Sequence, residues 1–261
     1  MTLSPPRPAL RACVVVPARN EEDLIVPSLR ALATQIRVKP SEYEVLLVLD
    51  RCTDATGERA MAVADTHPQL RLHFLDGPGL GSGHARRVGM EAACERLTGL
   101  GRPAGLIAST DADTVVASDW LSVQLAATGR GARAVGGRIE LDDGSLPPAV
   151  VHWHAERGRK RHQKILFDPD QLGTAEHWQF SGASLALTAE TYAQVGGLEP
   201  RATLEDEGLE RVLREQRIPI ERLLSVRATT SSRLKGRASE GLAHDLAAAA
   251  AMLGRTREPA R

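Results

Sequence analysis

What most constrains this chain is a rhythm of short apolar runs, each stopped by polar or turn-forming residues and followed by an amphipathic stretch. Ala12-Cys13-Val14-Val15-Val16 is halted by Pro17, and a run so short and β-branched fits a strand buried on both faces better than an amphipathic helix. After Ala18-Arg19-Asn20, the stretch from Glu21 to about Ile36 spaces Leu24, Ile25, Leu29, Leu32 and Ile36 near a helical period, with acidic residues in its first turn and Pro27 blurring its start. The pattern repeats: a strand from Tyr43 to Leu49 ending at Asp50, N-cap chemistry in Thr53-Asp54-Ala55-Thr56, and a helix to about Ala64. Arg71 to Leu75 then reads as a strand, Gly77 to Gly83 as a loop, Ala85 to Leu97 as a helix and Gly105 to Ser109 as a fourth strand. Such alternation predicts an α/β fold with a mainly parallel sheet and helices on its faces.

Past Asp119 the rhythm weakens. A helix from Trp120 to about Thr128 and a strand from Ala134 to Leu141 lead into a basic helix from Val150 to about Leu166. Phe180 to Leu187 reads as a strand, Ala189 to Val195 and Glu205 to Gln216 as helices, and the alanine-rich end from Leu242 to Leu253 as a terminal helix. The change marks a change of task within one domain, 1–261, divided at about 10–115, 116–228 and 229–261.

Composition narrows the function classes. With 42% apolar and 25% charged residues the chain has the means to build a core. Its 33 basic residues balance 33 acidic ones, so no global field draws it to nucleic acid or an anionic membrane, and any anion site must be local. Cys13, Cys52 and Cys94 lack metal-ligand spacing and cannot all pair within the chain, which fits a reducing cytoplasm. Met1 to Arg11 has no apolar run of signal-peptide length, and Ala247 to Leu253 is too short to span a bilayer, so no transmembrane segment is expected.

In open parallel sheets, ligands bind beyond the carboxyl ends of the strands, where loops present polar groups and helix N-termini. Three such ends carry suitable chemistry here: Pro17-Ala18-Arg19-Asn20-Glu21, Asp50, and Asp111-Ala112-Asp113. Singly, Asp50 could start a helix and Asp111 could be a turn residue. Jointly, two carboxylates at i and i+2 leaving a strand can share a hard cation, with water and phosphate oxygens completing its shell.

Five segments in order resemble the motifs of glycosyltransferase family 2, the inverting GT-A enzymes: Val14 to Glu22, Val48 to Asp54, Ser109 to Asp113, Phe180 to Ser184 and Leu204 to Glu207. The likeness covers roughly the first 210 residues. It implies a Rossmann-like donor half, an acceptor and catalytic half, and a C-terminal lid and helix. A nucleoside-diphosphate sugar would be the donor, an unidentified hydroxyl the acceptor, and Mg²⁺ or Mn²⁺ the cofactor. Pro17, Ala18, Asn20 and Glu21 would line the base and ribose pocket, and Asp50 would accept a hydrogen bond from the base. Asp113 would ligate the metal, and Asp111 would act beside it on the ribose or through metal-bound water. Glu205-Asp206 matches the family's acidic pair, with Asp206 the general base, although Glu205, Asp206 and Glu207 would also suit a helix N-terminus electrostatically.

Gly79, Gly81 and Gly83 lack the spacing of a dinucleotide fingerprint. By the resemblance Arg86, just beyond them, approaches the nucleotide; the competing reading is an exposed arginine on a solvated helix face. Between His152 and Lys164, positive charge is concentrated enough for an anionic acceptor or peripheral membrane contact, against the alternative of a solvated face. His152 and His154 could share a metal or simply sit on the surface. In the tail, from Thr229 onward, the resemblance implies a lid in which Arg233 and Arg237 meet the diphosphate and His244 completes a metal shell. No Gln-x-x-Arg-Trp motif of processive synthases is present, which favours single addition. Two other readings fit a similar fold: a nucleotidyltransferase making sugar nucleotides, disfavoured by the absence of glycine in Pro17-Ala18-Arg19-Asn20, and a non-catalytic nucleotide-sugar binding protein.

Overall fold

A computed structural model describes residues 3–142, 146–236 and 240–255. In chain order the elements are β1 (Ala12–Ala18), α1 (Ile25–Ala33), β2 (Tyr43–Leu49), α2 (Thr56–Thr66), β3 (Leu72–Asp76), α3 (Ser82–Gly99), β4 (Leu106–Ser109), β5 (Thr114–Val116), α4 (Trp120–Gly129), β6 (Ala134–Leu141), α5 (Pro148–Leu166), β7 (Leu185–Thr188), α6 (Ala189–Gln194), α7 (Glu205–Glu215), β8 (Ile220–Thr230) and α8 (Leu242–Arg255). The strands form one sheet in the order β3-β2-β1-β4-β7-β6-β8-β5. Among the described residues four of its seven pairings are parallel: β1–β2, β1–β4, β2–β3 and β6–β8.

The alternation of side chains along β1 builds two cores at once. Val14 and Val16 pack with Ile25, Leu29 and Leu32 of α1 and with Trp120 of α4. Cys13 and Val15 face the other way, toward Met90 and Leu97 of α3 and Leu209 and Leu213 of α7. Every residue of β1 is buried, as its uninterrupted apolar run requires. A third, smaller cluster joins Val150 of α5 to Leu246 and Ala249 of α8.

Several expectations need correction. Helix α1 starts at Ile25 and has no acidic residue in its first turn; residues 21–24 form a turn whose Glu21 carbonyl accepts from Leu24 and Ile25 N–H at 3.0 and 2.9 Å. Pro27 sits in that first turn, where its missing N–H costs no intrahelical bond. Phe180 to Ser184 is not strand: Ser184 N–H closes a turn onto the Ser181 carbonyl at 2.8 Å, and β7 begins only at Leu185. The stretch from Ile220, whose residues show no strand period, forms the eleven-residue strand β8, and Thr229 and Thr230 are its last residues, paired with Val115 and Thr114 of β5 rather than part of a lid. Its alternation is broken where the register with β6 jumps from Gly137↔Leu223 to Arg138↔Arg227, so its sequence has no clean period of two.

The parallel pairings set the carboxyl ends of β1, β2 and β4 side by side, with Ala18 opposite Leu49 and Val15 opposite Ser109. That edge carries Glu21, Asp50, Asp111 and Asp113 into one cleft.

Candidate active site

The cleft has a volume of about 1370 Å³ and runs from the ends of β1, β2 and β4 across to α5 and α7. Pro17, Ala18, Glu21, Asp50, Asp111 and Asp113 line its first half. Asn20 is not in that lining: its Oδ1 accepts from Thr53 N–H at 2.7 Å, and its φ of 54° is one that asparagine tolerates, so it pins the β1 loop to the β2 loop. Asp50 is buried and its carboxylate accepts the N–H groups of Gly79 and Gly81, tying the glycine loop to the end of β2. Gly79 is needed there for its φ of +79°, which L side chains rarely adopt.

Arg86 is the hub beneath the cleft, and the exposed-helix reading of it fails. It is 2% exposed. Its Nε donates to Glu205 Oε1 at 2.7 Å, one terminal nitrogen to Asp111 Oδ1 at 2.7 Å, and the other to Ser109 Oγ and to the Gly182 carbonyl at 3.1 Å. Burial opposes its charge, but the Asp111 and Glu205 carboxylates outweigh burial and hold the guanidinium above its ordinary pKa. Gly182 lies so close that a Cβ would collide with the guanidinium, which explains the glycine in Phe180-Ser181-Gly182-Ala183-Ser184.

The second carboxylate of the pair has a different partner. Arg233, in the loop after β8, grips Glu21 with both terminal nitrogens at 2.7 and 2.8 Å and reaches Asp113 Oδ2 at 2.8 Å. Burial, then the Asp111 and Glu21 charges, push the Asp113 carboxyl up to about 7 against the opposing pull of Arg233. One guanidinium thus spans two carboxylates, and Asp113 retains an excess of negative neighbours. Arg237 lies outside the described residues.

Across the cleft, Leu204 at φ 58° turns the chain into α7, a strained conformation for a side chain of this kind. That turn places Glu205 inward on Arg86 and Asp206 on the cleft wall. The Asp206 carboxylate is oriented by two backbone donors, Gly182 N–H at 3.1 Å and Glu207 N–H at 2.9 Å. His244 lines the cleft with a mostly exposed ring, 4.0 Å from Asp245. Among the described residues no three His, Cys, Asp or Glu side chains gather to hold a metal unaided, so neither His244 nor the pair His152 and His154 belongs to such a cluster.

The α5 wall was legible only as charge. Arg157, Arg161 and Lys164, at helical spacing, line the cleft, and the Arg161 guanidinium lies 4.7 Å from the centroid of the Trp178 ring. Trp178 is not marked by the sequence, because a lone aromatic after Glu176-His177 carries no periodic signal. The one hint is Gly158, where a Cβ would stand 2.9 Å from the indole Nε1. Among the described residues no helix is long and apolar enough to cross a membrane.

Known proteins share this architecture. The mannosyltransferase PcManGT from Pyrobaculum calidifontis, in complex with GDP-Man and Mn²⁺, has a TM-score of 0.63 at 19% identity over 97% of this chain and 78% of its own. S. aureus TarS 1-349 in complex with UDP gives 0.59 at 17% identity over 94% and 71%. Another S. aureus TarS structure gives 0.61 at 17% identity, and there the chain spans 44% of its counterpart. At these identities the likeness establishes the fold, which is GT-A. No curated protein sequence matches the chain. The family model for glycosyl transferase family 2 matches residues 13–185, about two thirds of the sequence. The chain belongs to glycosyl transferase family 2.

Proposed function

We propose that the chain moves a sugar from a nucleoside-diphosphate sugar to an acceptor hydroxyl with inversion, using Asp206 as general base. The observation that carries this reading is the placement of Asp50, Asp111 and Asp113 on one wall of a single cleft with Asp206 on another. Glycosyl transferase family 2 membership supports it, as do neighbours solved with UDP and with GDP-Man.

A divalent cation fits the donor wall, because Asp113 is buried and crowded by the negative charge of Asp111 and Glu21, and its carboxyl is raised in consequence. Hard cations of this kind are held by one or two carboxylates together with substrate phosphates, so a cluster of three protein ligands is not required. Asp113 would hold the ion, with Asp111 beside it. When bound, it supplies positive charge for the departing diphosphate. Arg233 would turn from Glu21 and Asp113 toward phosphate oxygens, which its planar fork suits. Pro17 and Ala18 would face the nucleoside, with Asn20, Glu21 and Asp50 keeping the surrounding loops in place. Arg86 is a positioning residue that fixes Asp111 and Glu205 rather than touching the sugar. Asp206 would take the hydroxyl proton as the acceptor oxygen bonds to the anomeric carbon and the bond to the diphosphate breaks, its electron pair leaving with the diphosphate. A single in-line displacement of this kind inverts the anomeric configuration.

Thermal stabilisation against UDP, GDP, dTDP and their sugars, with and without Mn²⁺, tests the reading. A ligand at about 100 times its dissociation constant adds about 2.7 kcal/mol. A metal-dependent response to one nucleotide series is expected; no response to any would overturn the proposal. Donor hydrolysis separates the enzyme from a binding protein.

A further inference from the structure

The acceptor side of the cleft holds two cations, Arg161 and Lys164, that make no ion pair among the described residues. Arg157 is paired with Asp245 at 2.6 Å, and Arg214 with Asp168 at 3.2 Å. Arg161 and Lys164 differ: among the described residues neither has a carboxylate within ion-pair distance, although both line the cleft. Glu207 and Glu210 of α7 and Asp245 of α8 lie near enough to favour the Arg161 charge without contacting it, and Glu210 is already held by Arg222 at 2.6 Å. Burial, then the adjacent Arg157 guanidinium, push Arg161 below its ordinary pKa, and these carboxylates only partly offset them. A guanidinium does not escape such a setting by losing its proton. An anion would relieve it.

The geometry is also that of a recess rather than a solvated face. Arg161 is half-buried and lies over the Trp178 ring, which rests against α5 at Gly158. Trp178 lines the cleft as well, so an aromatic surface and a guanidinium fork are presented together. Because α7 carries Asp206 and Glu207 side by side, and Glu207 is within electrostatic reach of Arg161, this recess adjoins the position from which Asp206 would act.

We propose that the acceptor is an anionic molecule whose phosphate or carboxylate group sits against Arg161 and Lys164, with Trp178 as the surface on which its body rests. The proposal rests on the transferase reading, of which it names the acceptor class. The oxyanion fixes the acceptor at one end and leaves a hydroxyl to face Asp206. Phosphate and carboxylate present the same chemistry to a guanidinium fork, and the two anionic probes below distinguish them.

The test is calorimetric titration of the full chain, saturated with Mn²⁺ and the most stabilising nucleoside diphosphate, using glucose 6-phosphate, glucuronate and glucose. At least one anionic sugar should bind tenfold or more tighter than glucose. Arg161→Ala combined with Lys164→Ala should remove that preference while leaving nucleotide affinity within twofold. Lys164→Ala alone, at an exposed position that folding tolerates, should weaken the anionic probe about threefold. Anionic sugars binding no better than glucose, or a preference that survives the double substitution, would overturn the proposal. Repeating the titration without nucleotide separates the two readings. An anion preference that depends on Arg161 in a protein that binds no nucleotide would sink the transferase, whereas normal nucleotide binding without that preference would sink only the anionic acceptor.

Discussion

The two walls of the cleft handle charge in opposite ways. On the donor wall, Asp50 is held by Gly79 and Gly81 N–H groups, Asp111 and Glu205 by Arg86, and Asp113 and Glu21 by Arg233. On the acceptor wall, Arg161 and Lys164 are left without an ion-pair partner among the described residues, and Asp206 is oriented by backbone N–H alone. The donor wall is therefore preorganised by its own side chains, and altering it should cost stability. Altering the acceptor wall should cost function while leaving the fold nearly intact.

The sharpest division is expected at Asp206. Asp206→Asn should lower turnover by about 10²–10⁴-fold, the usual contribution of a positioned base, with nucleotide affinity unchanged within twofold in a binding titration. A parallel collapse of nucleotide affinity would place Asp206 with the donor wall instead. Next, Arg86→Met leaves Glu205 buried without its counter-charge and should cost about 3–5 kcal/mol in urea unfolding; a cost below about 1 kcal/mol would break the comparison.

Asp113 gives a pH signature. Its folded pKa lies above its unfolded value, so between about pH 4 and pH 7 the folded state keeps a proton that the unfolded chain releases. In the metal-free protein this term makes stability fall as pH rises through that window and level off above it. Asp113→Asn should remove a decline on the order of 4 kcal/mol, read as melting temperature against pH. The smallest effect is expected at Arg161→Ala, within about 1 kcal/mol in unfolding, because only a partly exposed cation–π contact is lost.

Much of the donor wall was legible because parallel-strand chemistry is local. β2 and β6 fall within the boundaries read from the sequence, and the polar residues that follow β1, β2 and β4 occupy one edge. Arg86 is singled out by the family resemblance alone, and its role as a buried hub is not legible in the residues themselves. An arginine in Gly83-His84-Ala85-Arg86-Arg87 looks solvated until β4, the turn at Gly182 and the start of α7 close over it, and those partners lie 23 to 119 positions away in sequence. Strand β8 escaped for a different reason: the register jump after Leu223 scrambles the alternation that reveals a half-buried strand. Trp178 was hidden because a lone aromatic carries no periodic signal, and only the packing of α5 brings Arg161 over its ring.

The small cluster that joins α5 to α8 has a consequence for motion. Val150, Leu246 and Ala249 are its only fully buried members among the described residues, whereas the two cores flanking the sheet each bury many large side chains. At about 1.5–3 kcal/mol for each large apolar side chain buried, the helix pair is fastened by a small fraction of what holds β1 and α3. Opening of this pair is therefore sub-global and lower in free energy than unfolding of the sheet. Backbone amides of α5 should exchange with deuterium well before those of α3, so the wall that presents Arg161 should be the first to open.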